Sequence, residues 1–357
     1  MKTSKFTLIC LAAAMLLASC SQNEVRMHTI VHEDGSCTRE VSYTNVMPQE
    51  VRDSLWADST GLSQPLPETL VNDSLSQWHT DIGPGDSVTT TFSRHFPSAE
   101  QMSQATPLLL NGSRLQSKAT LEKRFRWFYT EYTFTEVFTC VGDTFPLPAT
   151  DYADKETISF WFTGQPNLLE GMSGAEAAQK IEEVEPFVSK WLNDNLFKVC
   201  FDYIESHYDA IPHPPVSHEK FVELHDSLFA TVMKDIDNIL DVEPQKSLHD
   251  FFHSDAYNVF FDDHTPLGEG LNQELYKRLN ILWLNAPYSL TMPGTVTDTG
   301  SGLLHDGTIY YALTGERLIP GDYVIKATSR VSHTWAYLVA ILVIALAVFS
   351  FFKGRKN

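Results

Sequence analysis

Residues 121–141 read LEKRFRWFYTEYTFTEVFTCV, a stretch without Gly or Pro in which aromatic residues alternate with threonines. β-Branched and aromatic side chains favour strands, so this is the strongest strand signal in the chain. Counting by two separates Phe125, Trp127 and Tyr129 from a second face made of Phe128, Tyr132, Phe134, Phe138 and Cys140. Either both faces are covered, or the strand changes face at a bulge. Such an aromatic stripe could bind a sugar or a lipid, but it is more typical of a core.

Other strand patterns flank this stretch and extend a β-rich region over residues 20–171. Residues 25–44 are typical of a hairpin, because Asp34-Gly35 supplies two residues that tolerate the positive φ of a tight turn. Residues 88–96 and 157–162 have the composition of short strands. Cys37 and Cys140 lie in strand-like segments, and an exported compartment would allow a disulfide between them.

From Ser173 the apolar residues recur at helical spacing, and they do so over residues 172–286. Ser173 and Glu176 fit a capping box, and Pro186 either kinks this helix or begins a second one. Ser217 precedes another helical pattern, and residues 271–284 form a third.

Strand-like alternation returns over residues 287–331. Because β patterns lie on both sides of the helical block, we predict an α+β fold. It consists of a mainly antiparallel β domain with an inserted α-helical subdomain, and its last strands join the early ones. One C-terminal transmembrane helix completes the prediction.

That helix is predicted at residues 335–352, which read WAYLVAILVIALAVFSFF and approach the ~20 apolar residues that cross a bilayer. A buried core helix is the alternative, but core helices seldom run so long without a polar face. Aromatic rings favour one membrane surface, and basic residues mark a cytoplasmic tail at residues 353–357. The residues expected at the two surfaces are Trp335, Tyr337, Lys353, Arg355 and Lys356.

Residues 1–19 have the basic start, short apolar run and small residues that are typical of an export signal. Leu17-Ala18-Ser19-Cys20 resembles the lipobox of bacterial lipoproteins, and the resemblance implies that Cys20 is lipidated after cleavage. An ordinary secretory signal with a chance cysteine is the alternative. Together the two anchors predict a lipoprotein held in the inner membrane with its body in the periplasm. If the acyl chains moved to an outer membrane, the chain would bridge two membranes.

The chain has 357 residues and a formal charge of −19, which becomes more negative when Lys2 and Lys5 leave with the signal. This acidity argues against nucleic acid and against an anionic bilayer surface as partners of the body. The length between the anchors suffices for one large or two ordinary domains. Cys200 has an apolar helical context that is typical of a buried, inert thiol.

The C-terminal part resembles the LppM-like bacterial lipoproteins. The resemblance rests on Leu290-Thr-Met-Pro-Gly294 and His305-Asp306-Gly307, which precede a short strand and an apolar helix with basic residues. It implies an extracytoplasmic β domain between a lipobox and a terminal helix. The aromatic stretch and the helical block depart from that pattern. They look more like large envelope lipoproteins of the Bacteroides group, which carry no assigned reaction.

Catalytic motifs are sparse. His249 and His253 have the spacing of zinc ligands on one helix face, but Asp250 stands where the glutamate of that metalloprotease pattern would be. A surface histidine pair is the simpler interpretation. We therefore expect a non-enzymatic binding or envelope-assembly module that needs no cofactor and has the bilayer and an envelope protein as partners. A metal-dependent hydrolase using His249 and His253 is the alternative.

Overall fold

The computed structural model describes residues 25–46, 70, 75, 78–82, 87–234 and 236–354. The predicted signal peptide and Cys20 lie outside the described residues, as do Arg355 and Lys356. The chain forms two compact units. A β unit contains the described residues up to Thr139, then Asn285–Thr314 and those from Asp322 on. A helical unit contains Cys140–Leu284 and Gly315–Gly321.

The β unit is built from antiparallel strand pairs and one parallel pair. Its strands are β1 (Val25–Val31), β2 (Cys37–Val46), β3 (His79–Ile82), β4 (Ser87–Phe96), β5 (Leu109–Leu110), β6 (Ser113–Arg114), β7 (Ser117–Phe125), β8 (Tyr129–Phe138), β9 (Tyr288–Thr291), β10 (Thr295–Asp298), β11 (Leu303–His305), β12 (Thr308–Tyr311) and β13 (Tyr323–Ser332). They form a seven-stranded sheet in the order β11-β12-β9-β1-β2-β4-β3 and a four-stranded sheet in the order β10-β13-β8-β7. Strands β5 and β6 make a two-stranded ribbon.

The late strands do join the early ones, as predicted. Strand β9 runs parallel to β1 with Tyr288 opposite Met27, and β13 runs antiparallel to β8 with Tyr323 opposite Phe138. The predicted β1–β2 hairpin is confirmed too. Its turn places Gly35 at a φ of 101°, a conformation that glycine adopts without steric cost.

The aromatic stretch forms two strands, so the single strand predicted for residues 121–141 is wrong. Strand β7 ends at Phe125, the chain reverses, and β8 begins at Tyr129. The backbone N–H of Arg126 donates to the carbonyl oxygen of Tyr129 at 2.8 Å, which closes a tight turn without Gly or Pro. Beyond the turn, Tyr132, Phe134 and Phe138 are buried, as expected of a core. The aromatic rings at the turn itself are exposed.

The core of the β unit lies between the two sheets. Phe138 on β8 meets Tyr288 on β9 edge to face, with ring centroids 6.2 Å apart. Helix α1 (Ala99–Gln104) packs on β7 and buries Met102. A final helix, α8 (Thr334–Gly354), follows β13 with one residue, His333, between them.

The helical unit contains α2 (Lys155–Thr163), α3 (Gly174–Ser206), α4 (His218–Glu223), α5 (His225–Val232), α6 (Pro244–Phe252) and α7 (Pro266–Trp283). Its core is largely aromatic. Fully or nearly fully buried members include Phe197, Phe201, Phe221, Tyr257, Phe260 and Leu271.

The strand predicted at residues 157–162 is instead helix α2. The side chain of Asp154 accepts hydrogen bonds from the backbone N–H groups of Glu156 and Thr157, and Gly164 ends the helix in a left-handed conformation. These caps favour a helix over the strand that the β-branched and aromatic residues suggested. The helical unit therefore begins at Cys140, well before residue 172.

Two helix starts were predicted correctly. The capping box of Ser173 and Glu176 is present in full at the start of α3. Pro186 lies inside α3, so the interpretation that it begins a second helix is wrong. Ser217 caps α4, but that helix ends before Leu224, and a separate helix, α5, begins directly after this residue.

Candidate membrane-attachment site

Helix α8 is the most conspicuous apolar element among the described residues. By length and composition, Thr334–Phe351 could cross a membrane, and only 6% of this segment is buried inside the protein. The rest of the described chain therefore does not cover it, whereas the alternative of a core helix would require burial. Predicted surface residues Trp335 and Tyr337 lie in its first turn and are about half exposed.

His333 joins α8 to the turn between β7 and β8. Its backbone N–H donates to the carbonyl oxygen of Phe128 at 2.8 Å. Its ring Nδ1 lies 3.3 Å from the carbonyl oxygen of Trp127, and its Nε2 lies 2.9 Å from the hydroxyl of Thr130. Because a carbonyl can only accept, Nδ1 is the donor to Trp127, and in the neutral ring the hydroxyl of Thr130 donates to Nε2.

Aromatic side chains of the turn pair with those that open the helix. Trp127 meets Trp335 edge to face with ring centroids 5.3 Å apart, and Phe128 meets Tyr337 at 5.0 Å. Phe125 stacks on His333 at 5.1 Å. We call Phe125, Arg126, Trp127 and Phe128 the hairpin tip. Its three aromatic side chains are 63%, 52% and 38% exposed in chain order.

The hairpin tip is locally basic in an acidic protein. Arg126 within the tip is exposed, and so are Lys123 and Arg124 just before it. Arg124 forms a 2.7 Å ion pair with Glu122, and Lys123 donates to the carbonyl oxygen of Glu33 at 2.6 Å. Cations interleaved with aromatic rings are a signal for a membrane interface. This signal is present in the sequence, but the prediction of one long strand concealed it.

A buried charged cluster lies between the two sheets. Arg39 on β2 donates to Glu136 on β8 at 2.7 Å, and their side chains are 1% and 0% exposed. Glu136 also accepts hydrogen bonds from the hydroxyls of Tyr288 at 2.7 Å and Ser117 at 2.9 Å. Since Tyr288 donates to the carboxylate, Thr29, at 2.7 Å, must donate to Tyr288.

The electrostatics of this cluster keep Arg39 charged and Tyr288 protonated. Burial acts to lower the pKa of Arg39, but the charge of Glu136, the neighbouring Tyr288 and the hydrogen bond to Glu136 together raise it. Burial, followed by the charge of Glu136, holds the pKa of Tyr288 well above its usual value. The cluster is closed to solvent, so we interpret it as structural.

The proposed zinc ligands do not share a helix face. Helix α6 ends at Phe252, and His253 lies beyond it in a left-handed conformation with a φ of 52°. His249 pairs its Nδ1 with Asp255 at 2.9 Å. Within the described parts of the chain, no group of three or more His, Cys, Asp or Glu side chains converges in a way that could hold a metal ion. The premise of two histidines on one helix is therefore wrong.

The acidic residues near this helix serve local turns. Asp262, Asp263 and His264 line an open depression of about 570 Å³. Asp262 accepts a hydrogen bond from the backbone N–H of His264 at 3.0 Å, and Asp263 accepts one from the side-chain amide of Asn272 at 2.6 Å. Hydrogen bonding from His264 holds the pKa of Asp262 below its usual value. These contacts stabilise the segment that leads into α7.

The candidate disulfide is not formed. Among the described cysteines, Cys37, Cys140 and Cys200 are all unbridged. Cys37 is buried in the β unit, whereas Cys140 is partly exposed and donates to the carbonyl oxygen of Ile319 at 3.5 Å. Cys200 lies on α3 against the aromatic core, as the sequence suggested.

Comparison with protein-family models, with curated proteins and with solved structures finds no match. The resemblances to LppM-like and Bacteroides-group lipoproteins therefore stay predictions.

Proposed function

We propose that this chain is a membrane-anchored extracytoplasmic lipoprotein that binds or assembles envelope components and catalyses no reaction of its own. The observation that carries the anchoring is helix α8, which follows β13 directly and leaves an apolar surface uncovered over Thr334–Phe351. Exposing such an apolar surface to water costs free energy, whereas placing it in the hydrocarbon core of a bilayer does not.

The proposal places α8 in the inner membrane and the body in the periplasm. Trp335 and Tyr337 then lie at the periplasmic surface, and the basic tail that begins at Lys353 lies in the cytoplasm. Cys20 supplies a second, lipid anchor. The helical unit, Cys140–Leu284, is an insertion between β8 and β9 of the β domain in this proposal. The polar groups closest to a catalytic arrangement, at His249 and Asp262, are engaged in local pairs, which favours a binding role over the metal-dependent hydrolase.

Carbonate extraction of membranes tests the two anchors separately. Cells produce the full chain, the Cys20→Ser variant, a chain lacking residues 334–357, and the combination of both changes. We expect each single variant to stay in the membrane and the combination to be released. Release of Cys20→Ser alone would show that α8 is not an anchor, and release of the unmodified chain would exclude the whole proposal.

A matched pair of variants, both in the Cys20→Ser background, separates membrane insertion from general damage. Leu342→Arg with Leu346→Arg places two charges at the centre of α8, where each costs about 2.5–3.5 kcal/mol of insertion free energy. Leu303→Arg with Leu304→Arg makes the same changes at exposed leucines of β11. Only the α8 pair should release the protein.

A further inference from the structure

We infer that the hairpin tip is a second membrane contact, seated in the headgroup zone beside α8 with its cations at the level of the lipid phosphates. This inference deepens the proposed function and depends on α8 crossing the bilayer. It adds that the β unit itself touches lipid at Phe125, Trp127 and Phe128.

Ring contacts fix the depth of the tip. Trp335 and Tyr337 lie in the first turn of the segment that would span the membrane, so they would lie at its surface. Trp127 and Phe128 are within 5.3 and 5.0 Å of those rings. Groups this close must lie at nearly the same depth. Placing α8 in a bilayer therefore places the tip in the headgroup zone.

The tip is held rigidly in this position. The hydrogen bonds of His333 to Phe128, Trp127 and Thr130 tie the helix start to the turn. Strand β13 pairs with β8 all the way to Ser332, opposite Tyr129. The exposed rings thus need no rearrangement to meet lipid, and association is preorganised.

The chemistry of the tip suits lipid headgroups. Indole and phenyl rings with one wet side favour the interface, and arginine binds phosphate through a planar fork of donors. Arg126 follows Phe125 directly and is exposed, so its cation can reach phosphate while the ring enters the glycerol region. The guanidinium of Arg124, on the other side of Phe125 in the chain, is paired with Glu122. The whole chain carries a net negative charge, but the surface at the hairpin tip is locally basic.

Quenching of tryptophan fluorescence tests the depth. The full-length protein is reconstituted in phosphatidylcholine vesicles containing phosphatidylglycerol, with bromine atoms near the start of the acyl chains. Trp127→Phe should reduce the fraction of emission that bromine quenches. Trp283→Phe is the matched control, because Trp283 is 61% exposed and belongs neither to α8 nor to the hairpin tip, and it should leave that fraction unchanged.

A third variant distinguishes the two proposals. Trp335→Phe removes the tryptophan at the start of α8 and reports on the depth of that helix. If Trp335→Phe lowers the quenched fraction and Trp127→Phe does not, the tip stays out of the lipid and the inference fails while the anchor stands. If neither variant lowers it, α8 is outside the membrane and both proposals fail.

The role of the cations has its own test in the same vesicles. Arg126→Glu places a carboxylate among lipid phosphates and should lower the bromine-quenched share that belongs to Trp127. Glu122→Gln, which removes a negative charge nearby, should not lower it. An unchanged share in Arg126→Glu would overturn the assignment of this side chain to the phosphates.

Discussion

The buried pair of Arg39 and Glu136 joins the two sheets of the β unit. Such a pair contributes less to net stability than its distance suggests, because both charges lose their hydration. Removing one partner is different, since the other charge is then buried without compensation. The carboxylate of Glu136 accepts hydrogen bonds from Arg39 and Tyr288 on two strands of the larger sheet and from Ser117 on β7 of its own sheet. Thr29, on a third strand of the larger sheet, donates to Tyr288.

We expect Glu136→Gln to lower the free energy of unfolding of the β unit by about 3–5 kcal/mol, because the buried guanidinium loses its counter-charge. Urea unfolding of the detergent-solubilised full chain measures this. Glu122→Gln is the control. It removes a pair of the same 2.7 Å length whose side chains are 61% and 60% exposed, and should cost about 0–1 kcal/mol. Equal losses would show that burial does not govern the pair.

The thiols of buried Cys37 and of Cys200, which is partly buried against the aromatic core, should react slowly in the folded protein. Burial raises the pKa values of Cys37 and Cys200 to about 12, so at pH 8 only on the order of one thiol in ten thousand is a thiolate. Iodoacetamide labelling followed by peptide mass analysis should modify Cys140 before Cys37, which is buried, and before Cys200, whose pKa is raised although it is partly exposed. Cys37 and Cys200 should become fully reactive only in urea. Fast labelling of Cys37 under native conditions would contradict its burial.

The raised pKa values of the same thiols predict that the free energy of unfolding depends on pH. Their folded pKa values lie above the unfolded value of about 8.5, so the thiols favour the folded state below that pH and lose this contribution as the pH rises toward 12. The urea midpoint should therefore fall above pH 8.5. Cys200→Ala should reduce the slope of that fall, whereas a slope unchanged by the substitution would assign the effect to other groups.

At the scale of the elements, the end of α6 is strained. His253 has a φ of 52°, a region that non-glycine residues occupy at a cost. We expect His253→Gly to stabilise the helical unit by about 0.5–1 kcal/mol in urea unfolding. His249→Gly makes the same substitution inside the helix and should destabilise by about 1 kcal/mol. A loss of stability in His253→Gly would indicate that its side chain makes a contact of its own.

Local signals in the sequence predicted those elements whose ends carry specific caps or turns. The capping box at Ser173 and the Asp34-Gly35 hairpin are examples, because neighbouring residues alone determine them. The strand predicted at residues 157–162 failed for a physical reason. Ile158, Phe160 and Phe162 alternate as in a strand, yet all three are buried on helix α2, whose caps at Asp154 and Gly164 decide the conformation.

The hairpin tip shows the opposite failure. The stretch around Trp127 has strand composition on both sides of the turn and no Gly or Pro at the reversal. No residue type that is typical of turns marks this reversal in the sequence. The bond between Arg126 and Tyr129 closes it, and the paired strands and His333 support it. The aromatic rings were therefore assigned to the core, where only those beyond Tyr129 belong.

At the scale of the whole molecule, the sequence predicted the order of β and helical regions but not the contacts that join distant residues. Glu136 contacts Arg39, which is 97 residues away in the sequence, and Tyr288, which is 152 residues away. The spacing of apolar residues along the chain does not predict such contacts. Of the candidate site, Trp335 and Tyr337 could be predicted from hydropathy. Their partners Trp127 and Phe128 could not, because the pairing of β8 with β13 brings them there.

The proposed topology predicts which side of the membrane each end faces. Cysteine introduced by Asp306→Cys, in the exposed turn between β11 and β12, should react with an impermeant maleimide in spheroplasts. Cysteine introduced by Asn357→Cys should react only after permeabilisation, because the basic tail favours the cytoplasm. The unmodified chain gives the background labelling. Reaction of Asn357→Cys in intact spheroplasts would show that α8 spans the membrane in the opposite orientation or does not span it.

The single residue between β13 and α8 has a consequence for how this protein meets its neighbours. If α8 spans a membrane as proposed, a long linker would let the sheets swing freely above the lipid, whereas the one-residue connection and the hydrogen bond of His333 to Phe128 couple the strand to the helix. Any tilt of the helix would then tip both sheets by the same angle. Each copy would hold its binding surfaces at a fixed height and orientation relative to the bilayer. Encounters with other membrane-bound molecules would then occur by diffusion in two dimensions.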